Sequence, residues 1–492
     1  MELVLLTGGT REVSIGPILN SSILIRGELE NWPDVQAFLY SHNRMKLQEL
    51  EDKSILILGF GTEGQATYEY LRRHWPAKPL SIADRRNMDE FSEDVIRRIQ
   101  DDTALNVNFG PRYLDSADGY NCEVIIKTPG IPASLDAIVR ARKTGCVLTS
   151  HSQIFLSNYP RENVIGVTGT KGKSTTTSLI HHILQSAGLP ALLVGNIGQP
   201  PLTVVDDALP GTYFVHEFSS HQLAEIETSP HIAVLLNIVP EHLDYYATFE
   251  EYAAAKENIT KFQTADDFLI FAADHPVPSA IARRTKAALR PFSMSDPIES
   301  VIPASEIPLA GQFNLENVRA AIEAASLCGV SPASMKGAIR TFKPLPHRLE
   351  PVGTYRGIAF YDDSIATVPD ATLAALDALG SSVQTLILGG HERNLDFSDF
   401  GKRLPANVQT VILFPPTGVR IWQAIETHSS NAGLPEAFFV REMEQAVRIA
   451  YQKTEQGRIC LLSPASPSFG SFKDYRERGD LFKAFVRKLS NS

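Results

Sequence analysis

Gly166-Val167-Thr168-Gly169-Thr170-Lys171-Gly172-Lys173-Ser174-Thr175-Thr176 follows the apolar run Asn163-Val164-Ile165 and leads into a helical pattern, so a glycine-rich turn joins a strand to a helix. At such a turn glycines let backbone N–H groups curl inward, and the helix N-terminus adds partial positive charge. Lys173 reaches the outer phosphates of a bound nucleotide, and the hydroxyl of Ser174 or Thr175 binds Mg²⁺. Gly169, Thr170 and Gly172 supply the backbone of this cradle. The pattern implies a nucleoside triphosphate. Its spacing departs from the commonest form: Val167 stands where glycine is usual, and the glycines fall at 166 and 169.

Apolar runs of strand length recur on both sides of the turn. They are Ile55-Leu56-Ile57-Leu58, Val124-Ile125-Ile126, Tyr213-Phe214-Val215, residues 232–236 and Phe268-Leu269-Ile270-Phe271. Further on come Ile358-Ala359-Phe360-Tyr361, Leu386-Ile387-Leu388, Val411-Ile412-Leu413-Phe414 and Ile459-Cys460-Leu461-Leu462. Near-continuous apolar runs read as buried parallel strands. Helical patterns over 175–187 and 315–327 separate them, which predicts an α/β class with doubly wound sheets and ligands at the C-terminal strand ends. Breaks near 150–160 and at Lys343-Pro344-Leu345-Pro346, the second a proline-stiffened hinge, predict domains over 45–150, 151–344 and 345–492. Residues 1–44 lack clean periodicity and are expected to be a dispensable extension or the product of a start assigned too early.

The 492 residues suffice for roughly three domains, at about 150 residues each. A net charge of −10 argues against a dedicated nucleic-acid binder, though a local basic pocket for phosphates is compatible with it. The four cysteines, Cys122, Cys146, Cys328 and Cys460, form no C-x-x-C pair, so neither a disulfide framework nor a zinc site is indicated and a reducing cytoplasm fits. No apolar run approaches the roughly 18 residues of a membrane span, and the N-terminus lacks the basic start of a signal peptide. A soluble protein, without nucleic-acid or membrane partners, is expected.

Three further constellations carry chemistry. Gly59-Phe60-Gly61-Thr62-Glu63-Gly64 follows the first apolar run, and Asp84 ends the next strand twenty residues beyond Gly64, a pattern suited to a dinucleotide or another nucleotide. The alternative is a tight turn serving helix packing alone. Glu217 ends the run that begins at Tyr213, where a carboxylate suits Mg²⁺ or caps the next helix. Asn237-Ile238-Val239-Pro240-Glu241-His242-Leu243-Asp244 ends another strand, and a helix from about Phe249 carries Tyr252 and Lys256. His242 reads as a metal ligand or a hydrogen-bonded core residue. Lys256 alone reads as a solvated helix lysine.

Together these residues resemble the Mur ligase family, the ATP-dependent amide ligases of peptidoglycan precursor synthesis, and within it the MurD branch that adds glutamate. The resemblance rests on residues 169–175, Gly195-Asn196-Ile197-Gly198, Glu217-Phe218-Ser219-Ser220-His221-Gln222-Leu223, residues 237–244 and residues 252–256. It continues through Gly311-Gln312-Phe313-Asn314-Leu315-Glu316-Asn317, Leu345-Pro346-His347-Arg348-Leu349-Glu350, Asp363-Ser364 with Ala366-Thr367, and Leu462-Ser463-Pro464-Ala465-Ser466. It implies a three-domain architecture with Rossmann-like first and last domains around a central P-loop ATPase-type domain. By this resemblance Gly61, Thr62, Asp84 and Arg85 bind the UDP of the substrate, and Asn196, Ser219 and His242 hold its muramoyl portion and metal. Lys173, Ser174 and Thr175 take the ATP phosphates, Glu217 and His242 take Mg²⁺, and Asn314, Asn317, Arg348 and Asp363 take the adenosine and triphosphate. Lys256 corresponds to the family's carbamylated lysine, a ligand for a second Mg²⁺. The implied reaction, by a monomer, joins glutamate, D-glutamate by family default, to UDP-N-acetylmuramoyl-L-alanine through an acyl phosphate.

The glutamate pocket departs from that pattern. Asp363-Ser364-Ile365-Ala366-Thr367-Val368 lacks the usual lysine and asparagine, Arg393 replaces a lysine, and Phe469 and Tyr475 stand near Ser468 where leucine and phenylalanine are usual. Thr367, Arg393, Ser468, Phe469 and Tyr475 are the residues expected at glutamate, since arginine still grips a carboxylate with its planar fork. A relative adding L-glutamate and a folylpolyglutamate synthetase-like ligase are the alternatives. A nicotinamide dehydrogenase leaves the phosphate loop idle, and a nucleotide sensor on this fold would bind ATP without turnover.

Overall fold

The computed structural model describes residues 46–115, 122–242, 245–428 and 433–490. The expected extension over 1–44 lies outside the described residues, as do Leu243 and Asp244. The chain divides into two compact units, the first running up to Arg161 with Pro200–Asp207 and His221–Ser229 added, the second taking Glu162–Gln199, Ala208–Ser220 and the chain from Pro230.

The first unit is built on a five-stranded sheet of order β3-β2-β1-β4-β5, from Ile55–Leu58 (β1), Leu80–Asp84 (β2), Leu105–Phe109 (β3), Val124–Lys127 (β4) and Val147–Ser150 (β5). All its pairings are parallel. β1 and β4 are buried at every position, which is why both appear as unbroken apolar runs. Between them the strand order reverses, and at such a switch point the crevice outside the strand ends receives ligands.

The second unit holds two six-stranded sheets. One has the order β11-β10-β9-β6-β8-β7, all parallel, from Val164–Thr168 (β6), Ala191–Gly195 (β7), Tyr213–Glu217 (β8), Ile232–Leu235 (β9), Phe268–Ala272 (β10) and Ala288–Phe292 (β11). The helix Lys173–Ser186 presents Leu179, Ile180, Ile183 and Leu184 to Val318, Ala321 and Ala325 of the helix Gln312–Leu327. Alanines at the contact let the helices approach closely, and each buried Leu or Ile contributes about 1.5–3 kcal/mol.

The other sheet has the order β12-β13-β17-β14-β15-β16, from Glu350–Tyr355 (β12), Ile358–Asp362 (β13), Val383–Gly389 (β14), Thr410–Phe414 (β15), Glu436–Phe439 (β16) and Ile459–Leu462 (β17). Here one strand breaks the expected parallel pattern: β12 pairs antiparallel with β13, with a bulge between Pro351 and Gly353. An edge position tolerates the missing N–H of Pro351, and the mixed polarity of 350–355 hid the strand in the sequence. No described helix is long and apolar enough to cross a membrane.

Candidate functional site

The loop after β6 is held open by geometry that only glycine permits. Gly172 has φ of 89°, and a Cβ there would stand 2.2 Å from Asn317 Oδ1. Asn317 accepts from Thr176 Oγ1 at 3.2 Å and donates to Asn314 Oδ1 at 2.9 Å, while Asn314 donates to the carbonyl of Ala310. Both buried asparagines thus brace the loop against the helix Gln312–Leu327. Thr170 donates its backbone N–H to Asn237 O, and its hydroxyl lies 3.0 Å from that of Tyr252. Of the two candidate hydroxyl ligands, Thr175 is buried and Ser174 half-buried on the first helical turn.

Lys173 Nζ donates to the carbonyls of Gly169 and Thr170 at 3.0 and 2.9 Å. Lys256, fully buried on the helix Phe249–Lys261, donates to the same Gly169 carbonyl at 2.8 Å and to Thr168 Oγ1 at 3.3 Å, with its Nζ 4.9 Å from the Tyr252 ring centre. Burial is the main force lowering the proton affinity of each. For Lys256 the Lys173 cation adds to it, so that its amine sits well below the ordinary lysine value, against the opposing pull of Glu241 and Glu217. A buried lysine that readily sheds its proton differs from the solvated helix lysine its sequence context suggested.

Glu217, at the C-terminal end of β8, is buried, and its Oε1 accepts from the exposed Asn196 at 3.0 Å. Its Oε2 is buried without a hydrogen-bond partner. An unmatched carboxylate oxygen beside a phosphate loop fits a hard divalent cation. Ser219, two residues on, is half-buried. His242 is exposed with φ of 58°, its ring 6.1 Å from that of Tyr252. Among the described residues, Glu217 and His242 join no cluster of three His, Cys, Asp or Glu ligands. The cluster that does form, His347, Glu350 and Asp362, is neutralised by Lys483, 2.9 Å from Glu350 and 3.8 Å from Asp362.

Glu241 was not singled out by sequence reasoning, although it lies in a quoted motif. It pairs with Lys171 of the phosphate loop at 2.6 Å. Burial raises its proton affinity, but Lys171, with Lys173 and His242, together more than offset this, and the net shift is downward.

After the proline-rich segment, Asp363 accepts from Leu349 N–H at 3.1 Å and Ser463 Oγ at 2.8 Å. Burial pushes its carboxyl up to about 7. Arg348, whose field reaches both Asp363 and Lys173, has its Nε buried without a partner. Of the expected glutamate contacts, Ser468 is buried, Thr367 and Tyr475 half-buried, and Arg393 and Phe469 exposed. The buried Arg478, absent from the sequence reading, ties Ser364, Ser466 and the start of the helix Tyr475–Leu489 into one frame.

In the first unit Gly64 lets the helix Thr62–His74 rest against the turn, since a Cβ would stand 2.1 Å from Gly59 O. Gly61 has open space around it, and Thr62 is exposed. Asp84 accepts from Phe60 N–H at 2.6 Å and from Arg86, so the arginine engaged with it is Arg86, while Arg85 faces solvent. The bidentate fork of Arg86 explains why Asp84 keeps a low proton affinity despite the opposing effect of burial. A cavity of about 930 Å³ in this unit, lined among others by Tyr68, Arg72, Arg73, Arg98 and Asp102, lies at the far end of the helix, and its arginines are paired with Asp102, Asp206 and Glu69.

Residues 167–325 match the Mur ligase middle domain, and residues 347–466 match the glutamate ligase domain of Mur ligases. The chain belongs to the Mur ligase family. The matched middle domain contains Lys173, Glu217, Lys256, Asn314 and Asn317, and the second match contains Arg348, Asp363 and Arg393. Whole-length Mur ligase relatives extend the likeness over the first unit. A UDP-N-acetylmuramoylalanine–D-glutamate ligase of Acidobacterium capsulatum is 33% identical over 466 residues, covering 89% of this chain and 97% of its own. One of Solibacter usitatus is 34% identical over 461 residues, covering 90% and 99%. Among solved Mur ligase structures, UDP-N-acetylmuramate-alanine ligase MurC from Thermotoga maritima superposes with a TM-score of 0.55 at 19% identity, over 89% of this chain and all of that one. MurF ligase from Thermotoga maritima in complex with ADP gives 0.53 at 14% identity, over 91% and 99%. At these identities the likeness speaks for the fold.

Proposed function

We propose that this Mur ligase uses ATP to join D-glutamate to the alanine carboxylate of UDP-N-acetylmuramoyl-L-alanine, a cytoplasmic step of peptidoglycan synthesis. The observation that carries the reading is the convergence of Lys173 and the buried Lys256 on the Gly169 carbonyl. The names of full-length relatives at 33% and 34% identity support the same substrate pair.

A carboxylate is a poor acylating agent and must first be phosphorylated, an encounter of two anions. The loop N–H groups and Lys173 hold the triphosphate, and Arg348 and Asp363 approach it from beyond the proline-rich segment. Ser174, Glu217 and His242 would hold one Mg²⁺, and Lys256, carbamylated, a second; the cations would neutralise the charge that builds up as the phosphoryl group moves. CO₂ adds only to a neutral amine, the form that burial and Lys173 favour at Lys256. Asn196 and Ser219 orient the muramoyl portion, and Gly61, Thr62, Asp84 and Arg85, with Arg86 bracing Asp84, receive the UDP. Thr367, Arg393, Ser468, Phe469 and Tyr475 position glutamate so that its amine displaces phosphate from the acyl phosphate.

The test is ADP release by the purified chain with Mg²⁺, ATP, UDP-N-acetylmuramoyl-L-alanine and each glutamate enantiomer. Turnover with D-glutamate is expected. Turnover confined to L-glutamate would overturn the stereochemical reading, and ATP consumption with no muramoyl nucleotide requirement would overturn the substrate.

A further inference from the structure

β4 ends on a lysine whose side chain is completely buried: Lys127, in a strand otherwise made of Val124, Ile125 and Ile126. An ammonium has three donors. Here they meet the carbonyl of Thr128 at 3.2 Å, the carbonyl of Ile131 at 2.6 Å and the carboxylate of Glu225 at 3.2 Å. The first two partners are the two ends of the 128–131 turn.

That turn borders the switch-point crevice. Thr128 donates its N–H to Leu58 O at 2.9 Å, and its Oγ1 lies 2.0 Å from where a Cβ on Gly59 would stand. The 128–131 turn and the glycine turn at 59–64 therefore interlock, and the position of one sets the width of the crevice beside the other. Glu63, at the start of the helix Thr62–His74, adjoins the same cluster and accepts from Gln222. A buried ion pair seldom stabilises a fold more than apolar side chains of the same volume would. Stability alone gives no reason for an ammonium at this strand end, whereas clamping a turn does.

We propose that Lys127, paired with Glu225, is a positioning residue for the nucleotide crevice, fixing the 128–131 turn against the glycine turn so that the crevice is preformed for a uridine diphosphate group. The inference rests on the functional reading above and adds to it a residue outside every quoted motif.

The test compares wild type with Lys127→Met/Glu225→Leu, which replaces the pair by apolar groups, and with Glu225→Gln, which keeps the shape and an acceptor. The double variant is expected to melt within a few degrees of wild type while its KM for the muramoyl nucleotide rises about ten-fold or more, with kcat and the KM for ATP unchanged. Glu225→Gln is expected to raise the same KM by a smaller factor. A merely structural pair would leave the KM of the folded double variant alone whatever happens to its melting temperature, and that result overturns the proposal. Should the double variant fail to fold, an unchanged KM in Glu225→Gln overturns it. Calorimetric titration of the full-length proteins with UDP separates the two readings. A wild type that binds UDP but does not turn over the muramoyl nucleotide fails the functional reading alone, and equal UDP affinity in wild type and variants fails this one.

Discussion

Lys173 and Lys256 donate to one carbonyl, that of Gly169, at 3.0 and 2.8 Å. Burial lowers the proton affinity of both, and at Lys256 the Lys173 cation sharing its acceptor lowers it further. Burial keeps the Lys256 proton affinity low, but Lys173→Ala removes the repelling cation that adds to it, so the amine holds its proton more tightly and less of it is open to CO₂. With ¹³C-bicarbonate, a carbamate resonance is expected in wild type, diminished in Lys173→Ala and lost in Lys256→Ala. ADP release in both variants is expected to fall by about 10²–10³-fold. Full activity of Lys256→Ala without added short-chain acids would defeat the carbamate assignment.

Glu217 illustrates a conflict between folding and use. Its Oε2 is buried and unmatched, a cost to the folded state that a bound cation relieves. Glu217→Gln keeps the contact with Asn196 and removes the charge. Without Mg²⁺ the variant is expected to melt higher than wild type, and addition of Mg²⁺ with ATP is expected to shift its melting less. Its turnover falls about 10²-fold or more. A variant that melts lower than wild type in the absence of metal would contradict the account.

Gly172 combines φ of 89° with a projected Cβ 2.2 Å from Asn317 Oδ1. Gly172→Ala is expected to destabilise by about 1 kcal/mol or more from backbone strain alone. Displacement of Asn317 also disturbs Thr176, so the KM for ATP should rise at least about ten-fold while the KM for the muramoyl nucleotide stays put. Equal changes in both constants would show a general loss of structure instead.

Asp363 gives a pH dependence with a definite sign. Its carboxyl moves from an ordinary 3.8 to about 7 on folding, chiefly through burial, with Asp362 pushing the same way and Arg348, Ser463 and the Leu349 N–H opposing. The folded state therefore prefers the protonated form. The contribution of Asp363 to stability is therefore expected to be lost as pH rises from about 4 to 7, by an amount on the order of 4 kcal/mol as an upper bound. Asp363→Asn abolishes this loss, so its melting advantage over wild type should be larger at pH 8 than at pH 5. A constant difference across that range would refute the shift.

Much of the fold was legible because buried parallel strands must be apolar throughout: β1, β4, β6 and β9 are buried at every position and each stood out as a run. β3 and β11 did not, since edge strands carry polar or exposed residues such as Asn106, Asn108 and Arg290. The phosphate loop was legible from local chemistry, because glycine, lysine and hydroxyl must be neighbours in the chain to surround a phosphate. Contacts made across the fold were not. Nothing near Lys256 in sequence foretold Gly169 or Thr168 as its partners, and nothing near Asp84 chose Arg86 over Arg85.

The first unit is not one stretch of chain. Pro200–Asp207 and His221–Ser229 return to it after the chain has left at Arg161, and they bring Leu202 to His151, Gln222 to Glu63 and Glu225 to Lys127. A fragment cut after Arg161 therefore keeps every strand of its sheet yet loses the acid that balances its buried ammonium. Dissection of this enzyme into autonomous pieces must respect a boundary drawn in space, and a gene split at the obvious linker would leave an uncompensated charge inside the piece it was meant to liberate.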